Sequence, residues 1–160
     1  MSEGFSHVGL STHDMETTIR FYSELLGFAR TADERISIRE GGSLRQVSFD
    51  VGCGQYVVFM EAREVQGISE TYDTSINTAL GLPGGMYHFA LKLPTCEALE
   101  VRRVELAEKG VEVSAVIDLG HARSIFFQDP NGIQLEMSCP VRPFDESDIG
   151  RESEASIARS

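Results

Sequence analysis

The chain is short of cations. Its 160 residues carry 14 Lys and Arg against 25 Asp and Glu, a formal net charge of −11. That balance, with no Lys/Arg cluster to offset it, excludes nucleic-acid binding driven by counterion release. The surplus acid reads as a solvated surface that aids solubility. Long apolar runs are also missing. Nothing approaches the roughly 20 residues needed to span a bilayer, so no membrane partner is expected. The opening residues MSEGFSHVGLS hold no basic segment followed by an apolar one. No signal peptide is therefore expected, and cytoplasmic residence is the default. Cysteine is scarce. Cys53, Cys96 and Cys139 lie far apart with no CxxC, which predicts reduced, mostly structural thiols. The rest is ordinary for a globular protein, with 41% hydrophobic and 24% charged residues. The length suits one domain or two small fused halves.

The chain repeats itself once. HVGLSTHDMETTIRFYSELLGF, from His7, runs parallel to HFALKLPTCEALEVRRVELAEKGV, from His88. Each begins with His, an apolar residue, a small residue and Leu, then crosses a polar break into a helix that stops at Gly. Asp14 is a good N-cap for the first helix, whose stripe is Met15, Ile19, Tyr22 and Leu26. Gly27 suits the left-handed residue after its last turn. The second helix starts after Thr95 and ends at Gly110, with Ala98, Val101 and Val104 as a weaker stripe.

Three strand-like runs follow each helix. They cover Arg35–Arg39, Leu44–Asp50 and Tyr56–Ala62 in the first half, and Val111–Leu119, Arg123–Gln128 and Ile133–Ser138 in the second. Asp129-Pro130-Asn131-Gly132 fits a type I turn between the last two. Each half reads as βαβββ, an α+β class, and two such units bury far more together than either does alone. The division predicted is a first module over 1–66, a connecting loop over 67–86, a second module over 87–140 and a flexible acidic tail over 141–160.

Alternation along the strands sets which side chains meet. His7 shares a face with Gly9, and His88 with Ala90, so each imidazole has a small neighbour. Val8, Leu10, Phe89 and Leu91 turn the other way, toward the helices. Near the end, Glu136 stands among Ile133, Leu135 and Met137. An unpaired carboxylate in such surroundings costs several kcal/mol. Glu136 therefore requires a partner, either a core histidine or a cation.

The strand His followed by DMETTIRFYSELLGF, the second strand His in YHFALKL, and SIFFQDPNGIQLEM together resemble the vicinal oxygen chelate superfamily. Glyoxalase I, extradiol dioxygenases, methylmalonyl-CoA epimerase and the fosfomycin and bleomycin resistance proteins belong to it. The resemblance covers about residues 5–138. It implies the paired glyoxalase/bleomycin-resistance/dioxygenase fold, in which two βαβββ modules form a cupped mixed sheet around a metal site. It also implies one divalent metal ion (Fe2+, Mn2+, Ni2+, Co2+ or Zn2+), a small-molecule substrate held through neighbouring oxygens, and a homodimer whose sites are in some members shared between chains. The matching ligand positions are His7, His88 and Glu136, a two-histidine, one-carboxylate set suited to Fe(II) and its neighbours.

Two further residues enter by resemblance. Glyoxalase- and epimerase-type members add a second Glu on the last strand of the first module. Glu61 is the carboxylate available there, although the register could instead put Phe59 at that position. His121 falls close to where extradiol dioxygenases carry a His that assists proton transfer. The resemblance therefore implies a ring-cleaving dioxygenase (an oxidoreductase) with three ligands and His121. Its alternative is a glyoxalase I-like lyase or isomerase in which Glu61 and Glu136 shuttle a proton. A metal-free drug-binding module is a further alternative. Ser11, Val65 and Phe126 depart from residues usual in one or other of the two enzyme groups. His13, Arg123, Tyr56 and Lys92 are read as surface or packing residues.

Overall fold

The computed structural model describes residues 2, 4–152 and 154. It contains two four-stranded sheets, one per half of the chain. The first comprises β1 (His7–Ser11), β2 (Ala29–Ser37), β3 (Ser43–Gly52) and β4 (Gln55–Arg63), in the order β1-β4-β3-β2. The second comprises β5 (Phe89–Lys92), β6 (Ile117–Asp118), β7 (Ala122–Gln128) and β8 (Gln134–Pro140), in the order β5-β8-β7-β6. In both sheets the outer strand, β1 or β5, runs parallel to its neighbour and the other pairings are antiparallel. Two βαβββ modules are thus present. Each has a free edge on the strand that begins at, or just after, its histidine.

The first helix, α1 (Met15–Ile19), starts where Asp14 accepts from the Thr17 amide. It continues as a π-helical segment, Arg20–Leu25, closed by Leu26 N donating to Phe21 O at 2.9 Å. Met15, Ile19, Tyr22 and Leu26 are all buried, as the stripe requires. The widened turn brings Phe21 into the core as well, its ring centre 6.4 Å from that of Phe127 on β7. The modules therefore share one apolar core, with Tyr22, Phe49 and Phe59 from one side and Leu106, Ile125 and Phe127 from the other. A polar clasp supports this junction. Tyr22 Oη donates to Asp129 at 3.1 Å, and Thr12 Oγ1 donates to Asn131 at 2.7 Å. Burial pushes the Asp129 carboxyl up, and burial beside Asp129 pushes the Tyr22 phenol well up.

Several elements differ from the expectation. Strand β2 begins at Ala29 rather than Arg35, because pairing with β3 continues to Ala29↔Asp50. Strand β6 is reduced to two residues, with a lone bridge between Val113 and Phe127 before it. In α3 (Cys96–Glu108) the buried residues are Leu99 and Leu106. Val101 and Val104 face solvent at 58% and 45% exposure, so the stripe expected from them has the wrong phase. Cys96 and Cys139 form a disulfide that ties the start of α3 to β8, contrary to the expectation of reduced thiols. Cys53 remains free and exposed. The connecting loop holds a short helix, α2 (Ile76–Ala79), capped by Ser75. After β8, Glu146–Asp148 form a 3-10 turn, pinned by Arg142 bonding both Asp148 oxygens at 2.6 and 2.7 Å. This part of the expected flexible tail has defined structure, whereas 153 and 155–160 lie outside the described residues. No helix among the described residues is long and apolar enough to cross a membrane.

Candidate metal centre

His88 and Glu136 meet. The strand register explains why: Glu136 on β8 lies beside Ala90 on β5, two residues after His88. His88 Nε2 is 3.2 Å from Glu136 Oε2. The other ring nitrogen, Nδ1, is 2.8 Å from the carbonyl oxygen of Gly85. A carbonyl can only accept, so Nδ1 carries the hydrogen. On a neutral ring Nε2 would then present its lone pair, and across from it stands a carboxylate oxygen, also an acceptor. Two acceptors at this distance need a cation between them, either a proton on Nε2 or a metal ion. A backbone carbonyl that fixes the imidazole through its far nitrogen is the usual arrangement for a metal-ligating histidine. The residues present therefore fit a divalent metal.

Glu136 is 6% exposed, and its Oε1 accepts from Ser124 Oγ at 2.5 Å. Phe126 lies directly across from Glu136, and its ring centre is 6.4 Å from that of His88. Beside it is a hollow of about 420 Å3, lined by Glu112, Val113, Ser114, Phe126 and Gln128. Sequence reasoning passed over Ser124 and Gly85. Ser124 shares the face of Phe126 by simple alternation on β7, which was a usable signal. Nothing in the sequence pointed to Gly85.

His7 occupies the equivalent place on the first sheet. It lines a separate hollow of about 440 Å3 with Gly9, Gln46, Ser48, Tyr56 and Val58. It is exposed, and its Nδ1 is 2.9 Å from Ser6 Oγ. Within the chain His7 does not join the His88–Glu136 pair. Among the described residues, no three His, Cys, Asp or Glu side chains converge to hold an ion.

Glu61 belongs to the opposite face. It pairs across with Arg45, on the face of Val47, Val57 and Phe59 that packs against the helix. Its Oε1 accepts from the Met15 amide at 3.2 Å and from Arg63 at 2.7 Å. Glu61 thus caps the positive end of α1 and points away from the hollow. Register also identifies the residue that stands in the first module where Glu136 stands in the second. Ala90 lies beside Glu136, and Gly9 lies beside Val58. The first-module counterpart of Glu136 is therefore Val58, neither Glu61 nor Phe59.

His121 sits at the β6–β7 turn. Its carbonyl accepts from the Val141 and Arg142 amides, and its ring packs at a tilt against Phe144 with centres 4.3 Å apart. The next residue, Ala122, is opposite Pro140. That is four residues along β8 from Glu136, about 13 Å at the usual strand rise. His121 is therefore remote from Glu136 within the chain. His13 bonds the Tyr72 carbonyl at 2.7 Å and helps seat the connecting loop.

Comparison with known proteins agrees with this architecture. An iron-dependent extradiol dioxygenase from Rhodococcus jostii (strain RHA1) is 26% identical over 158 residues, covering 96% of this chain and 49% of that protein. The chain thus spans about half the length of that curated relative. A glyoxylase/bleomycin resistance protein/dioxygenase domain from Frankia sp. EAN1pec superposes with a TM-score of 0.61 at 20% identity, covering 88% of this chain and 99% of that one. TnmS3, an antibiotic binding protein from Streptomyces sp. CB03234, gives 0.60 at 20% identity, covering 87% and 97%. The model of one family matches residues 4–137. With its paired βαβββ modules, the chain belongs to the Glyoxalase/Bleomycin resistance protein/Dioxygenase superfamily.

Proposed function

We propose that the chain is a mononuclear divalent-metal enzyme that holds its substrate through neighbouring oxygens, and that its reaction is extradiol-type ring cleavage. His7, His88 and Glu136 are the ligands. The observation that carries this reading is His88 Nε2 lying 3.2 Å from Glu136 Oε2, with Nδ1 2.8 Å from the Gly85 carbonyl oxygen. A metal bound there supplies Lewis acidity to the oxygens of a vicinal diol. The residues of the chain hold and orient. Glu136 provides one anionic oxygen, the Gly85 carbonyl fixes the ring of His88, and Phe126 closes one side of the hollow with an apolar wall.

The three-ligand reading is favoured over a glyoxalase-type lyase or isomerase by the positions of two residues. An isomerase needs a second carboxylate at the ion to move a proton beside a carbonyl. Val58 fills the counterpart position, and Glu61 faces the helix. The likeness to the Rhodococcus dioxygenase points the same way.

The site is completed by a second copy of the chain. Among the described residues both β1 and β5 are unpaired at their outer edges, and such edges invite pairing. A partner's first sheet laid along β5 brings its histidine toward His88 and Glu136. Two copies related by a twofold axis give two equal sites.

The test is metal analysis followed by oxygen-uptake measurements with catechols, compared with hemithioacetal disappearance. Stoichiometric divalent metal and catechol-dependent oxygen uptake are expected. Hemithioacetal turnover without oxygen uptake would replace dioxygenase with isomerase. Protein without metal affinity would favour a ligand-binding module.

A further inference from the structure

The geometry points to Ser124 as a positioning residue that fixes how Glu136 meets the ion. The inference rests on the metal-site reading above and goes beyond it in assigning a role to a residue outside the ligand set. Ser124 lies on β7 and is fully buried, at 0% exposure. A buried hydroxyl needs a partner, and its Oγ is 2.5 Å from Glu136 Oε1. An ionised carboxylate accepts only, so the single hydroxyl hydrogen of Ser124 goes to Glu136. Ser138 Oγ, 3.0 Å from Ser124 Oγ, must then be the donor in that second contact. The result is a short chain of hydroxyls running Ser138 to Ser124 to Glu136, across the paired strands β7 and β8.

This chain treats the two oxygens of Glu136 unequally. Oε1 is engaged by a charge-assisted hydrogen bond. Oε2 alone faces His88 Nε2, at 3.2 Å. Ser124 therefore imposes one-oxygen attachment and sets the direction from which that oxygen approaches. It also limits the anionic donors to a single oxygen, which keeps coordination positions open for a substrate with two oxygens. Without Ser124 the carboxylate can swing and offer both oxygens, and one position is lost.

The experiment uses the purified, metal-stripped protein titrated with Co2+, reading both affinity and the visible absorption of the bound ion. Wild type, Ser124→Ala, Ser138→Ala and His88→Ala are compared. Ser124→Ala is expected to weaken Co2+ binding by about 10–100-fold, in the range usual for partners that orient a ligand. Its absorption bands should also shift as the carboxylate changes its mode of attachment. Ser138→Ala keeps the Ser124–Glu136 bond but removes the donor behind it, so it should give a smaller change of the same kind. His88→Ala should bind no Co2+. Wild-type affinity and spectrum in Ser124→Ala overturn the inference while leaving the metal site standing. If Ser124→Ala fails to fold, by circular dichroism, Ser138→Ala decides, and an unchanged spectrum in that variant overturns the inference. Absence of Co2+ binding by wild type overturns the metal site and the inference together.

Discussion

Val58 and Glu136 hold equivalent places in the two modules, so only the second module carries a carboxylate there. One carboxylate with two histidines gives an ion open positions. A second carboxylate would close one and add a base. Glu61 looked like that second carboxylate because it stands on the expected strand, but the face of a strand residue depends on register. A one-residue error in where a strand starts reverses every side chain. That His88 and Glu136 share a face followed from alternation along strands β5 and β8. The contrast is testable by substitution. His88→Ala should abolish metal retention while leaving the circular dichroism spectrum near that of wild type. Glu61→Gln should retain full metal content by atomic emission and lose about 1 kcal/mol of stability in urea, from weaker support of the α1 N-terminus.

At the scale of elements, the sequence revealed strands and helix ends better than helix faces. Asp14, Gly27 and Thr95 mark ends through local hydrogen bonding and backbone conformation, and these signals do not depend on the rest of the fold. α3 carries apolar residues on two faces: Leu99 and Leu106 turn inward while Val101 and Val104 face solvent, so composition alone did not single out the buried one. In the first module, a charged cluster joins three elements. Arg45 on β3 bonds both oxygens of Asp33 on β2, at 2.9 and 2.8 Å, and also reaches Glu16 on α1. Hydrogen bonding to the Arg45 guanidinium holds the Asp33 carboxyl below its ordinary 3.8. A carboxyl lowered on folding stabilises the fold fully above its unfolded value, and that stability is lost as the pH falls through the folded value. Urea denaturation across acid pH should therefore show a loss of stability below about 3.8. In Asp33→Asn this part of the loss should be absent, with stability near neutrality lower by on the order of 1–2 kcal/mol.

For the whole molecule, the pairing of two βαβββ modules was readable, and the contacts across their shared core were not. Repeat units carry their own periodicity, but packing between them depends on Phe21, Tyr22, Asp129 and Asn131 meeting across the core, contacts between residues distant in sequence. That arrangement keeps His7 out of reach of the His88–Glu136 pair and leaves β1 and β5 as free edges. The expected consequence is complementation. His7→Ala and His88→Ala, each unable to hold metal alone, should regain metal when unfolded and refolded together, because a mixed dimer keeps one intact site. Metal content in the mixture no higher than in either variant would assign the site to one chain.

The central claim is that His7, His88 and Glu136 bind one cation. Anomalous diffraction from crystals of protein loaded with Fe2+ or Co2+ tests it most directly. One peak per chain is predicted, about 2.0–2.2 Å from His88 Nε2, from one Glu136 oxygen and from a His7 nitrogen of the neighbouring copy. A peak away from these three groups, or no peak in protein able to turn over its substrate, would contradict the account.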